Sequence, residues 1–356
     1  MAEKKNGKRP ICRLIAAGII FIGQLFPAGV NMLFIGNSFT FYHDLPTVVQ
    51  ALVEEGNPES KVKTEIVGYG GRNLFWHWEI GRSYNRIKAP QLSQEQWSAE
   101  LSLLDQMTAS KEYPAVYFDF YRTLRQDAFI KKYYPGRPAV AEGTQIDQGD
   151  MQRLKNAVAN HQRWMKTANQ TEKYDYVVLQ SWQDEAGSPE TGYAKYAVLF
   201  ANVASAAGAK PVLYLTAPNN QNSEPGQKNG IRDQLLDTCR NITDTAKKID
   251  AVVVPVPLAL MLVQDSEEPI AKTLTFRYVK DFHPNNTMAY LTACTFYAAL
   301  TGKSPEGLKM NKIGEAAGGK TNPDGGPLET IFDDETRLFL QRTAWKAVEQ
   351  YRSGKY

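Results

Sequence analysis

The chain has little of what builds metal sites and disulfide frameworks. Its 356 residues include three cysteines and four histidines, and no Cys/His pair stands at a metal-ligand spacing. A cysteine-stapled scaffold and a zinc-held fold are therefore excluded, and stability has to come from a hydrophobic core. Cys239 and Cys294 fall in helix-like contexts, where two buried thiols are expected rather than a bridge. Runs of like charge are missing after residue 29, which argues against nucleic acid or an anionic membrane as the natural partner. Internal repeats and low-complexity tracts are also absent. With 43% hydrophobic residues, the composition is that of an ordinary globular chain.

The one long apolar run lies at the start. Lys4, Lys5, Lys8, Arg9 and Arg13 form a basic opening, Leu14 to Phe26 is nearly unbroken apolar sequence, and Pro27-Ala28-Gly29 adds small residues. That three-part pattern is the one expected of a bacterial-type signal peptide over residues 1–29, because the run is short for a spanning helix. An uncleaved anchor is the other reading, and Cys12 stands on the wrong side of the run for a lipoprotein. Without this leader, which carries those five cations and Glu3, the formal charge of +3 falls to about −1. The expectation is an exported protein, periplasmic or extracellular, with no stable membrane insertion after cleavage. Residues 30–356 then form a single domain.

That domain is organised around residues 32–53. Met32 to Ile35 reads as a buried strand, Gly36-Asn37-Ser38 as a tight turn, and Asp44 to Val53 as a capped helix ending at Gly56. Further strands are expected at Val62 to Val67, Ala115 to Tyr121, Tyr174 to Leu179, Lys210 to Thr216 and Ala251 to Pro255. Helices are expected at 101–107, 151–168, 193–207, 231–249, 287–301 and from about Asp333 onward. Strands alternating with helices at this spacing predict one parallel sheet covered on both faces, a three-layer α/β/α sandwich. Residues 81–150 read as an elaborated insertion, with 128–150 a polar loop and with a lid or specificity role as one guess.

Strand–turn–helix is the layout that presents a serine hydroxyl at the carboxyl edge of such a sheet, although Ser38 could equally be a plain turn residue. A serine nucleophile needs a base. His43 stands five residues after Ser38, His161 sits in a polar helix and is expected at the surface, and His77 lies in the aromatic segment around Trp76 and Trp78. His283 lies in a loop after the last sheet strand, beside Asp281 and just before a helix. A structural histidine is the default for such a loop. Gly70-Gly71 and Gln180 also fall at strand ends, and parallel strands bring all their carboxyl ends to one edge. The paired glycines would let a backbone N–H approach a ligand or merely form a turn. The aromatic segment could be core or a sugar-stacking wall.

These residues together resemble the SGNH (GDSL-like) hydrolases, and more narrowly a bacterial branch whose first motif reads GNSF. The resemblance covers most of residues 30–356 and implies the flavodoxin-like fold of that family. Gly36-Asn37-Ser38-Phe39 matches the nucleophile motif, Gly70-Gly71 the second oxyanion donor, and Leu74 and His77 the branch's following pattern. Leu179-Gln180 ends the strand that in most relatives leads to a GxND motif. Asp281 and His283-Pro284 match the final motif, and Lys303-Ser304-Pro305 also has the look of the branch. The resemblance implies Ser38 as nucleophile, His283 as base and Asp281 as acid. It implies Ser38, Gly70, Gly71 and Gln180 as the oxyanion hole, with Gln183 a second choice for the amide. Asn37, Trp76, His77 and Gln183 would face the substrate. No metal or organic cofactor is implied.

Two departures stand out. The third motif lacks its asparagine, and the acid stands two residues before the histidine instead of three, where Lys280 is found. The expected function is a serine esterase removing acetyl or other short acyl groups, on carbohydrate or a small ester. The alternative is a catalytically degenerate protein of the same fold that binds carbohydrate; a thioesterase or lipase-like activity would share the machinery. Nothing in the sequence speaks to the oligomeric state.

Overall fold

Met32 to Ile35 are completely buried, as a strand without a polar residue must be when helices cover both faces of its sheet. In the computed structural model, which describes residues 26–230, 232–314 and 320–356, this segment is the centre of strand β1 (Gly29–Gly36). The expected leader lies almost wholly outside the described residues, as do Cys12 and part of the loop from Gly314 to Pro327. The other sheet strands are β2 (Lys61–Gly68), β3 (Tyr176–Gln180), β4 (Lys210–Leu215) and β5 (Val252–Pro255). All pair in parallel in the order β2-β1-β3-β4-β5. This is the doubly wound arrangement, and β1 and β3 flank its switch point, where a crevice opens at the carboxyl ends of the strands.

Between β1 and β2 run α1 (Ser38–Phe41) and α2 (Leu45–Gly56). From β2 to β3 come α3 (Leu74–Glu79), α4 (Tyr84–Lys88), α5 (Gln94–Ser110), α6 (Ala115–Gln126), α7 (Ala128–Tyr133) and α8 (Gln148–Thr167). The chain continues with α9 (Gly192–Ala206), α10 (Arg232–Lys248), α11 (Val256–Gln264), α12 (Asn286–Thr301) and α13 (Asp334–Ser353). A short antiparallel pair, β6 (Lys312–Gly314) with β7 (Glu329–Ile331), precedes α13. Helices α2, α11, α12 and α13 pack together on one face of the sheet, and α3, α4 and α9 on the other. Cys239 on α10 and Cys294 on α12 are free, buried thiols. Among the described residues no helix is long and apolar enough to cross a membrane.

The section from 81 to 150 differs most from expectation. Ala115 to Tyr121 is not a strand; it opens helix α6 after Pro114. Its aromatics suit a strand, but Tyr117, Phe120 and Leu124 recur at helical spacing and are buried together. Phe120 stacks on Phe75 of α3, ring centroids 4.0 Å apart. The supposed loop from Ala128 begins with helix α7, whose Asp127 side chain caps the N–H groups of Phe129 and Ile130. His161, expected at the surface, is fully buried on α8 against Trp97 and Trp164. Its Nε2 meets the Asn85 side-chain amide at 3.2 Å, and its Nδ1 the Ala157 carbonyl at 2.8 Å. A polar helix whose one buried stripe carries a satisfied histidine looks, in sequence, like a solvated one.

Phe75 fastens this inserted helical layer to the sheet domain. Phe75→Ala is expected to cost about 3–5 kcal/mol of unfolding free energy. Urea titration followed by circular dichroism reads that loss directly.

Candidate active site

Gly36 ends β1 and Ser38 begins α1, so one residue separates strand from helix. The turn between them is cramped. A Cβ on Gly36 would lie 2.4 Å from Thr40 Oγ1 and 2.5 Å from Gln180 Oε1, which only glycine avoids. Asn37 caps α1 by accepting the Phe39 N–H at 3.1 Å and donates its Nδ2 to the Arg72 carbonyl at 3.0 Å. It therefore ties the serine turn to the glycine turn that follows β2. Ser38, now the first residue of the helix, has an N–H with no carbonyl behind it.

Ser38 Oγ lies 2.9 Å from His283 Nε2, and His283 Nδ1 lies 2.6 Å from Asp281 Oδ1. The same carboxylate oxygen accepts the backbone N–H of His283 at 3.1 Å. This Asx-type turn explains why a two-residue spacing works: the acid folds back over its own backbone to reach both N–H groups. The imidazole stacks against Tyr42, centroids 4.6 Å apart and nearly parallel, and against Phe282 at 4.3 Å. Asp324 holds the preceding backbone, accepting the N–H groups of Val279 and Lys280, each at 2.9 Å. On the far side, buried His43 contacts the Pro284 carbonyl through Nε2 at 2.7 Å. Burial lowers the pKa of His43, so this ring anchors the loop as a neutral donor.

A cleft of about 390 Å³ opens over the serine. Ser38, Gly70, Gly71 and His283 line it with Asn37, Phe39, Phe41, Tyr42, Trp182, Phe282 and Arg153. Gly71 takes a left-handed φ of +69° that favours glycine. Among the described residues, the N–H groups of Gly70 and Gly71 meet no backbone or side-chain acceptor. With the Ser38 N–H they form a set of backbone donors beside the hydroxyl, the arrangement that receives a developing oxyanion.

Four residues expected at the oxyanion or the substrate are placed elsewhere. The Gln180 amide is turned inward: Oε1 accepts the Asn37 N–H at 2.8 Å and the Thr40 hydroxyl at 3.0 Å, while Nε2 donates to the Ser181 carbonyl. Fully buried and outside the cleft lining, it clasps the nucleophile turn to β3 instead of facing an oxyanion. His77 is fully buried, with Nε2 2.9 Å from the Gly36 carbonyl and Nδ1 2.9 Å from Ser83 Oγ. Because that carbonyl can only accept, the ring carries its proton on Nε2 and accepts from Ser83. Burial lowers the His77 pKa to about 3, so the ring stays neutral. Trp76 is also fully buried, packed on Tyr69, and the supposed sugar wall around it is core. Gln183 has a left-handed φ of +54° and does not line the cleft. Its neighbour Trp182 does, parallel to Phe282 at 6.1 Å. Trp182, Phe282, Tyr42 and Arg153 were not singled out from sequence. Tyr42, four residues beyond Ser38, stands one helical turn on, whereas nothing local points to Arg153.

Two buried acids lie behind Trp182. Asp184 Oδ2 accepts the Ser181 hydroxyl at 2.8 Å, and Ser181 Oγ accepts the Leu74 N–H at 2.8 Å. Glu185 Oε2 meets the Tyr134 hydroxyl at 3.4 Å. Burial raises Glu185 to about 7 and holds Asp184 well above the ordinary aspartate value.

Comparison with known proteins adds little. No family model and no curated protein matches the chain. A solved structure, a proposed SGNH hydrolase from Slackia heliotrinireducens, aligns over 77% of this chain and 100% of its own, at 17% identity and a TM-score of 0.39. At that score the likeness carries no argument about this chain.

Two outcomes test the site's construction. Gln180→Ala leaves the buried Asn37 N–H unpaired and is expected to lower stability by about 1–3 kcal/mol. An oxyanion role would instead show as a loss of turnover with unfolding unchanged. For Glu185, the folded chain retains a proton that the unfolded chain releases between pH 4.5 and 7, so this group's contribution to stability falls as pH rises through that window. Glu185→Gln removes this dependence. Its stability relative to wild type should climb by up to about 3 kcal/mol from pH 4.5 to 7, and a constant difference in urea unfolding would refute the burial argument.

Proposed function

We propose that the protein is a serine hydrolase acting on esters, by attack of Ser38 on an acyl carbonyl. The observation that carries this reading is the continuous contact from Ser38 Oγ to His283 Nε2, at 2.9 Å, and from His283 Nδ1 to Asp281, at 2.6 Å. His283 takes the Ser38 proton as Oγ bonds to the carbonyl carbon, and Asp281 holds the ring with Nδ1 protonated and steadies the imidazolium. The tetrahedral oxyanion is met by the backbone N–H groups of Ser38 and of Gly70 or Gly71. The same proton, given to the leaving alcohol, completes the acyl-enzyme. Water activated by His283 then attacks the acyl carbon and releases the acid.

A short acyl group, such as acetyl, on carbohydrate is the substrate class we favour, in an exported protein. Support comes from the leader-like start of the sequence, the resemblance of its motifs to SGNH hydrolases, and an aromatic pair, Trp182 and Phe282, beside the nucleophile. The inward turn of the Gln180 amide favours a slower enzyme with backbone donors alone, or a glycan-binding protein that retains the fold.

Hydrolysis of 4-nitrophenyl acetate by the purified protein separates these readings. Ser38→Ala and His283→Ala are each expected to lower kcat/KM by roughly a thousandfold or more, and Asp281→Asn by less. Equal, background-level rates from folded wild type and both alanine variants would rule out hydrolysis of simple esters.

A further inference from the structure

Helix α8 contributes a charged residue to the cleft lining. Among the described residues that line the cleft, Arg153 of α8 is the one with a permanent charge, and none is an acid. Its position is set by Asp150, a carboxylate whose side chain is only 1% exposed. Arg153 Nη1 lies 3.2 Å from Asp150 Oδ1, and Arg72 Nε lies 2.7 Å from the same oxygen. The Tyr113 hydroxyl donates to Oδ2. Two guanidinium groups therefore share one buried carboxylate, which leaves a positive charge in excess at the wall. Asp147, the other acid close by, is exposed at the start of α8 and already accepts the Asp150 N–H at 2.7 Å, so water screens it.

Among the described residues, the Nε and Nη2 groups of Arg153 have no protein partner. Its side chain is 27% exposed. A guanidinium fixed at one nitrogen, with the rest of its fork free in a partly dry, aromatic-walled cleft, is suited to a planar anion. We infer that Arg153 is a specificity residue that pairs with a carboxylate on the substrate. This rests on the ester-hydrolase reading and deepens it. The ester has an apolar or sugar body against Trp182 and Phe282 and carries an acidic group within reach of α8. The carboxylate belongs either to the acyl group or to the alcohol, and the two sources are separable.

For the acyl side, mono(4-nitrophenyl) succinate is compared with 4-nitrophenyl acetate. For the alcohol side, 4-acetoxybenzoate is compared with 4-acetoxybenzamide. The readout is the ratio of kcat/KM for the acidic ester to that for the neutral one, which cancels general effects on turnover. In Arg153→Gln the ratio is expected to fall about tenfold for one of the pairs, mainly through KM; Arg153→Lys retains part of it, and raised salt lowers it in wild type. Ratios unchanged in both variants for both pairs would overturn the inference while leaving the hydrolase intact. If folded wild type cleaves none of these esters, the ester-hydrolase reading fails separately. Binding then decides: calorimetry with Ser38→Ala should show 4-acetoxybenzoate bound about tenfold more tightly than the benzamide, a preference lost in Ser38→Ala/Arg153→Gln. Equal binding would again overturn it.

Discussion

The site depends on one close approach, the packing of the β1 turn against the end of β3. Gly36 has no side chain there, so Gln180 can reach across and accept the Asn37 N–H and the Thr40 hydroxyl from within the protein. Buried donors left unpaired are costly, so this single amide determines how the chain leaves the sheet. It sets the start of α1 at Ser38, and through Asn37 it fixes the distance to the glycine turn after β2. His77 adds a second hold by donating to the Gly36 carbonyl. The position of the nucleophile is thus decided largely by buried groups, Gln180 and His77, that do not line the cleft.

The division between backbone and side-chain work follows from this. Asn37, His77 and Gln180 each give one polar atom to the turn and another to the structure around it. The remaining donors aimed at the reacting centre are N–H groups of Ser38 and the paired glycines, whose places are fixed by main-chain geometry alone. Such donors require no side-chain reorganisation when charge develops. The cost is that they cannot be strengthened by a change of side chain, so the chemical character of the cleft is left to its other lining residues, several aromatic rings and one guanidinium.

Much of the frame was legible because strands buried on both faces are written as apolar runs and the glycines mark their ends. Ser38, His283 and Asp281 were marked by the resemblance of their motifs to those of SGNH hydrolases, with only four histidines to sort and one of them beyond the last sheet strand next to an acid. The inserted layer was not legible. Tyr117, Phe120 and Leu124 fit a helix, but within seven residues their aromatic richness reads equally as strand, and the partner that decides between them, Phe75, lies some forty positions away. The surface position expected for His161 fails, and the choice between core and sugar wall at Trp76 stays open in sequence, for a related reason: composition shows what a side chain is, whereas burial depends on what long-range packing lays over it. Arg153 belongs to the same class, since its place in the cleft exists only once α8 has docked.

The acid and base sit on a single tripeptide, with one carboxylate oxygen holding both the ring and the backbone of His283. The serine, by contrast, stands on a different part of the chain, and the loop bearing the pair is suspended between Asp324 and the His43–Pro284 contact. Base and acid therefore form one unit on this loop, joined to the serine's side of the cleft through the Ser38–His283 contact and through Tyr42, whose ring stacks on the imidazole. The orientation of the base is thereby set within its own loop, independently of the serine it serves.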